Sequence, residues 1–294
     1  MHEEFVLTLI ASPGTLLQPE ALVSPADVAG ITRTAWLAEG IACDLYLDAL
    51  PADAAWASIR QRCVKARTDA VLQRAEGRQK QLLISDMDST MIHQECIDEL
   101  ADKAGLKAHV AAITERAMNG ELDFKTALRE RVALLKDLPE TTLQEVFSQH
   151  ITLMHGALTL VMTMKAHGAS AHLVSGGFTY FTHRVAEALG FDTHEANILE
   201  VADGKLTGTV REPILDKESK RKSLIAHAAQ RGLPLSATLA IGDGANDLPM
   251  LLASGLGIAY HAKPMVEAQA KASIRYNDLS ALLYLQGFTK AQWI

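Results

Sequence analysis

The sequence lacks most of what a secreted, membrane-bound or nucleic-acid-binding protein would need. Cysteine occurs only at Cys43, Cys63 and Cys96. An odd, sparse set with no C-x-x-C pair is not a disulfide framework, so a reducing cytoplasm is the expected setting. Positive charge is in deficit, 28 Lys and Arg against 35 Asp and Glu, for a net charge of -7. That balance argues against nucleic acid, which needs a basic face, and more weakly against an anionic membrane surface. A phosphorylated small molecule stays open, because a local site can be positive within an acidic protein. No stretch approaches the ~20 apolar residues of a membrane span. The acidic start, Met1-His2-Glu3-Glu4, followed by a short apolar run, is unlike a secretory signal. Neither G-x-x-x-x-G-K-[ST] nor H-E-x-x-H occurs. There is no internal repeat and no low-complexity tract. The 11 histidines are scattered, and His93 and His155 read as surface or supporting residues rather than ligands.

What is present is an ordinary globular composition, 48% hydrophobic and 21% charged, long enough for two domains. Residues 5–10 read as a strand, Pro25 to Ala38 as helical, Ile41 to Leu47 as a strand and Trp56 to Leu72 as a helix. Together they form a small module without a catalytic constellation. The polar run QRAEGRQKQ, residues 73–81, marks a boundary, giving domains at 1–74 and 75–294. Beyond it, Leu82 to Ser85 reads as a buried strand. Apolar residues at helical spacing (Ile92, Cys96, Leu100; Leu106, Val110; Leu128, Val132) predict an inserted helical block from Ile92 to about Phe147. Strands at 171–175 and 237–241 then alternate with helices at 158–167, 179–189 and 217–230, with a hairpin over 198–210. This alternation predicts an α/β fold with a parallel sheet.

Chemistry-bearing residues cluster at strand ends. Asp86-Met87-Asp88-Ser89-Thr90 follows the first strand of the second domain. Ligands of open parallel sheets bind beyond such ends. One carboxylate could attack phosphorus and the other protonate a leaving oxygen. A solvated strand terminus is the plain alternative. A calcium loop is excluded because its sixth and twelfth positions hold Met91 and Ile97 instead of Gly and Glu. Gly242-Asp243-Gly244-Ala245-Asn246-Asp247 follows another strand and reads either as a turn or as carboxylates sharing a hard cation such as magnesium with Asp86. Ser175-Gly176-Gly177 is either a simple turn or a phosphate cradle. Lys220 stands in the basic run Glu218-Ser219-Lys220-Arg221-Lys222, either solvated or offsetting negative charge at the nucleophile.

These four segments, in this order, resemble the haloacid dehalogenase superfamily over about residues 80–294. Met118 to Phe124, Arg131 to Lys136 and Ser175 to Phe178 narrow the resemblance to its phosphoserine phosphatases. The resemblance implies a Rossmann-like core with a helical cap, about 92–150, after the first core strand. It implies magnesium-dependent hydrolysis of O-phosphoserine to serine and phosphate through an aspartyl-phosphate, the last step of serine biosynthesis. Asp86 would be nucleophile and metal ligand, and Asp88 general acid and base, with its backbone carbonyl on the metal. Asp243 would be the third ligand, with Asp247 orienting the metal shell. Ser175, Gly176, Lys220 and Asn246 would hold the phosphate. Glu95 would bind the substrate amine and Arg131 its carboxylate, and Met118 and Phe124 would line the cap side. The N-terminal α+β module resembles an ACT-like regulatory domain, which implies an amino-acid effector there and leaves a homodimer open. A phosphotransferase with an alcohol acceptor, or an amino-acid sensor with a secondary core, are the competing readings.

Overall fold

The computed structural model describes residues 4–28, 30–118 and 121–294, without the side chain of Met118. The chain opens with β1 (Phe5–Ala11), α1 (Pro19–Leu22), β2 (Ile31–Ala38), β3 (Ala42–Leu47), α2 (Asp53–Lys65) and β4 (Thr68–Arg74). The strands form an antiparallel sheet in the order β2-β3-β1-β4, the β-α-β-β-α-β arrangement of ferredoxin-like modules. Leu7, Leu9, Leu45, Leu47, Ile59 and Cys63 give it a core of its own.

Two readings of this region are corrected. Pro25 to Ala38 is not helical, because Ile31–Ala38 is an edge strand whose first four residues are all exposed, so no apolar alternation announces it. The helix begun near Trp56 ends at Lys65, and Arg67 takes a left-handed φ of 50° that turns the chain into β4.

After a loop, β5 (Leu82–Ser85) begins the second sheet. Four cap helices follow: α3 (Cys96–Lys103), α4 (Lys107–Met118), α5 (Phe124–Ala133) and α6 (Thr141–His150). The chain then runs through α7 (Ala157–Ala166), β6 (Ser170–Phe178), α8 (Thr179–Leu189), β7 (Thr193–Asn197), the hairpin β8 (Leu199–Ala202) and β9 (Lys205–Val210), and α9 (Lys217–Gln230). It closes with β10 (Thr238–Gly242), α10 (Leu248–Ala253), β11 (Leu256–Tyr260), α11 (Pro264–Glu267), β12 (Ala272–Ile274) and α12 (Ala281–Leu285). The six-stranded sheet is parallel, in the order β12-β11-β10-β5-β6-β7.

Both faces of this sheet are covered. Leu83, Leu173 and Ile241 enter one core cluster, and Ile84, Val174 and Ala240 the other. This explains why these strands read as unbroken apolar runs rather than alternating ones. The strand β5 lies between β6, which follows it in the chain, and β10, which comes much later. The order therefore reverses at β5, and a crevice opens beyond its carboxyl end.

The cap's two linkers run side by side. Ile92 pairs with Leu153 in an antiparallel bridge, His93 N–H donates to Thr152 O at 3.1 Å, and Met154 N–H donates to Met91 O at 2.8 Å. Gln94 and Thr152 exchange two further hydrogen bonds, each 2.9 Å.

Candidate active site

The amide of Asp86 donates to Ile241 O at 3.0 Å, one step past the last β5–β10 register pair, and the chain then leaves the sheet. The amides of Thr90, Met91 and Ile92 all turn back to Met87 O, and Ser89 takes a left-handed φ of 55°. This tight turn holds Asp86 and Asp88 at the crevice. Asp86 is 5% exposed, with one carboxylate oxygen accepting the Met87 amide at 2.7 Å. Thr90, fully buried, donates to Asp243 Oδ1 at 3.1 Å and ties the first acidic turn to the one after β10.

Two glycines make room for acids. A Cβ on Gly242 would stand 2.5 Å or less from three atoms of Asp247, whose side chain folds back beneath the loop to accept from the Gly244 amide at 3.0 Å. A Cβ on Gly177 would stand 2.7 Å from Asp88 Oδ2 and 3.1 Å from Ser175 Oγ. The strand β6 continues through this pair to Phe178, so Ser175 and Gly176 lie within a strand rather than in a turn after one. The Ser175 hydroxyl is buried and accepts from the Gly177 amide at 2.9 Å.

Lys220 arrives from α9. Asp216 caps that helix, accepting from the amides of Glu218 and Ser219 while Ser219 Oγ accepts from the Asp216 amide. One helical turn on, Lys220 points inward and is 1% exposed, with Nζ 2.7 Å from both Asp86 Oδ2 and Asp247 Oδ1. Although Lys217, Glu218 and Lys222 nearby are exposed, Lys220 is a buried counter-ion, and its acid partners hold its pKa above the ordinary value against the opposing effect of burial.

The acids outnumber this one ammonium. Burial first, and Asp86 second, raise Asp243 to about 6 and Asp247 to about 8. Burial, then Glu95, pushes Asp88 well above the usual carboxylate range, against the hydrogen bond from the Cys96 amide. Asp86, Asp243 and Asp247 each offer an oxygen, all within 4.8 Å of one another. Clustered carboxylate oxygens carrying excess negative charge fit a hard divalent cation. The side chain of Asp88 stands outside that trio.

Across the crevice, the cap supplies Glu95, Phe124 and Arg131. Ser89 Oγ donates to Glu95 Oε1 at 2.7 Å. The enclosed position of Glu95, then Asp243 and Asp86, push it to about 7 against that bond; its carboxylate remains open to the cleft, and water tempers the push. Arg131 is half-buried, with Asp98, Glu95 and Asp88 as its charged neighbours. Its Nε donates to Ala127 O at 3.3 Å. The ring of Phe124 lies against Gly176, where an added Cβ would stand 3.2 Å from Cζ. Asn246 is half-buried beside Gly244. Of the cap-side residues expected from sequence, the Met118 side chain lies outside the described residues.

A model of the haloacid dehalogenase-like hydrolase family matches residues 83–252, more than half of the chain. The chain belongs to the haloacid dehalogenase-like hydrolases. It is similar to a phosphoserine phosphatase of Polaromonas sp., 50% identical over 209 residues that cover 69% of this chain and 89% of that one. A phosphoserine phosphatase of Vibrio cholerae is 46% identical over 202 residues, covering 69% of this chain and 61% of the relative. Among solved structures, a hydrolase of the family from Salmonella enterica serovar Typhi superposes with a TM-score of 0.85 at 29% identity, covering 96% of this chain and 98% of that one. A probable phosphoserine phosphatase from Vibrio cholerae gives a TM-score of 0.77 at 34% identity, covering 99% and 88%. Both likenesses run through the N-terminal sheet as well as the hydrolase core.

For this haloacid dehalogenase-like hydrolase, sequence reasoning underweighted Asp247 and overlooked the Thr90–Asp243 tie. The first would have followed from asking which side chain the small residues Gly242 and Gly244 make room for, whereas the second joins residues 153 positions apart and has no local signal. Among the described residues, no helix is long and apolar enough to cross a membrane.

Proposed function

We propose that this chain hydrolyses O-phosphoserine to serine and phosphate. The observation that supports the reading is that cap residues Glu95 and Arg131, an acid and a base, lie opposite buried Asp86 and half-buried Asp88. A substrate with an ammonium, a carboxylate and a phosphate could meet all three partners at once. A solved phosphoserine phosphatase complex with substrate bound, 40% identical to this chain over 70% of its length, supports the same substrate class.

In this reading, Asp86 attacks phosphorus in line with the seryl oxygen, and the P–O bond to serine breaks as Asp88 gives its proton to that oxygen. The raised pKa of Asp88 suits the acid role. The Ser175 hydroxyl, the Gly176 amide, Lys220 and Asn246 hold the phosphoryl oxygens as charge shifts toward them. An aspartyl-phosphate remains on Asp86. The Asp88 carboxylate then takes a proton from an incoming water, which displaces Asp86 and releases phosphate. Magnesium, held by Asp86 and Asp243 with the Asp88 carbonyl, and with Asp247 beside them, would neutralise phosphoryl charge. Helices α3–α6 exclude bulk water from the first step.

The same reading keeps residues 1–74 as an ACT-like regulatory module and 75–294 as the phosphatase, with the cap at about 92–150 and the protein in the cytoplasm. An amino-acid effector and a homodimer belong with it as proposals. Phosphate release with magnesium from phosphoserine, phosphothreonine and sugar phosphates tests the substrate assignment. Phosphoserine should lead by a wide margin, and Asp86→Asn should abolish its turnover while leaving the fold intact. Preference for a sugar phosphate, or near-normal turnover by the variant, refutes it.

A further inference from the structure

Away from the acid cluster, a cavity of about 700 Å³ opens where three parts of the molecule meet. Its volume lies within the usual range for small-molecule sites. The turn Ser12–Thr15 forms one wall, the cap linkers contribute His93, Met154 and His155, and the C-terminal region supplies the rest.

The cavity adjoins a continuous mechanical path. The buried carboxylate of Asp69, in β4, accepts from the amides of Arg275 and Tyr276 and from the Asn277 side chain, at 2.8, 3.2 and 2.9 Å. This fixes the N-terminal module to the 275–277 loop. The segment just after it is tied to the returning cap linker, where Leu279 N–H donates to His155 O at 3.2 Å. Gly156, with a φ of 75°, sits so close to the next turn that a Cβ would stand 2.5 Å from Ser280 N. His93 and His155, one from each linker, meet edge to face with centroids 5.7 Å apart. An occupant would therefore touch the module, the loop that anchors it and both hinges of the cap.

The lining also constrains what the occupant is. Tyr260, Tyr284 and Trp293 offer flat apolar walls, with the last two rings 4.7 Å apart. Lys290 is the only Lys or Arg in the lining. Lys290 Nζ stands 3.7 Å over the Trp293 ring. The imidazoles of His93 and His155 add to this. The lining's one carboxylate, Asp278, already accepts from the Ser280 amide and hydroxyl through Oδ1. An ammonium at the rim of aromatic walls suits a ligand with a flat apolar body and an anionic head.

We propose that this cavity binds a small aromatic carboxylate and that occupancy restrains the cap linkers, making it a regulatory site distinct from the phosphatase site. Calorimetric titration of the full chain with benzoate, and with benzamide as its neutral isostere, tests the first half without any turnover. Benzoate should bind saturably at millimolar concentration or below, at least about tenfold more tightly than benzamide. Lys290→Ala and His155→Asn, both at exposed positions, should each weaken benzoate at least about fivefold while melting like the parent. Hydrogen exchange tests the second half: bound benzoate should slow the amides of residues 91–95 and 152–156. Absence of saturable benzoate binding, equal affinity for benzamide, or indifference to both substitutions overturns the site. Tight binding with unchanged exchange in both linkers overturns the regulatory role.

Discussion

Lys220 Nζ lies 2.7 Å from Asp86 Oδ2, and both side chains are almost wholly withdrawn from water. The ammonium has a second acid, Asp247, at the same distance. Removing it leaves two buried carboxylates facing each other, a situation that costs about 3–5 kcal/mol when one partner of a buried pair is deleted. Lys220→Ala should lower unfolding stability by that order in chelator-treated protein above about pH 8, where Asp247 is ionised. Urea titration checks this, and a loss under about 1 kcal/mol would mean that the acids simply protonate instead.

The pH response of the metal-free protein follows from the raised acids. Asp243 and Asp247 hold protons to about 6 and about 8 against an ordinary 3.8. The folded state then binds more protons than the unfolded chain. Stability is full below the ordinary value and declines as pH rises through the two folded values. Melting temperature without divalent cations should therefore fall by several degrees between about pH 4 and about pH 8. Adding magnesium should flatten that slope, because ligation favours the ionised acids. A melting temperature that climbs across this window in chelator contradicts the assignment.

Gly177 tests the proton-transfer geometry without touching a titrating group. Its added Cβ would come within 2.7 Å of Asp88 Oδ2. Gly177→Ala should displace that carboxyl and lower kcat for phosphoserine by about 100-fold, the lower range for general acid catalysis. Far-ultraviolet circular dichroism should stay unchanged. A kcat within threefold of the parent, about 0.6 kcal/mol, would show that Asp88 tolerates the shift.

Arg131 separates recognition from chemistry. Its expected partner is a substrate carboxylate that an aryl phosphate lacks. Arg131→Ala should cut kcat/KM for phosphoserine by about 100-fold, near 3 kcal/mol, and for 4-nitrophenyl phosphate by less than about fivefold. Equal losses on the two substrates would mean that Arg131 supports the cap rather than reading the substrate.

Asp69 should matter for cohesion. Asp69→Ala strands the amides of Arg275 and Tyr276, whose partner it is at 2.8 and 3.2 Å. Each stranded buried donor costs about 1–3 kcal/mol. Denaturation monitored by tryptophan fluorescence should shift by about 3 kcal/mol or split into two transitions. An unchanged single transition would show that the module is held elsewhere.

The hydrolase core was legible because its strands are buried on both faces. Leu82–Ser85 and Thr238–Gly242 stand out as short apolar runs followed by acids, and the site residues hang on those ends. The edge strands were not legible. Thr193–Asn197, at the rim of the parallel sheet, is polar, and Ile31–Ala38 is largely exposed, so neither carries the pattern that a covered strand must have. Lys220 shows the limit for single residues: Lys217 to Lys222 looks solvated throughout, and only the helix phase set by the Asp216 cap selects which charge turns inward. The Asp69 attachment joins residues 206 or more positions apart, and nothing local signals it.

The paired cap linkers also have a consequence for how such a protein can diversify. Because Ile92 and Leu153 are bridged neighbours, the insertion begins and ends at almost one point. The sheet order never registers how long the excursion is or what shape it takes. A lineage can therefore exchange one cap for another while the phosphoryl-handling strand ends stay put. What is recognised and what is done to it become separately heritable traits.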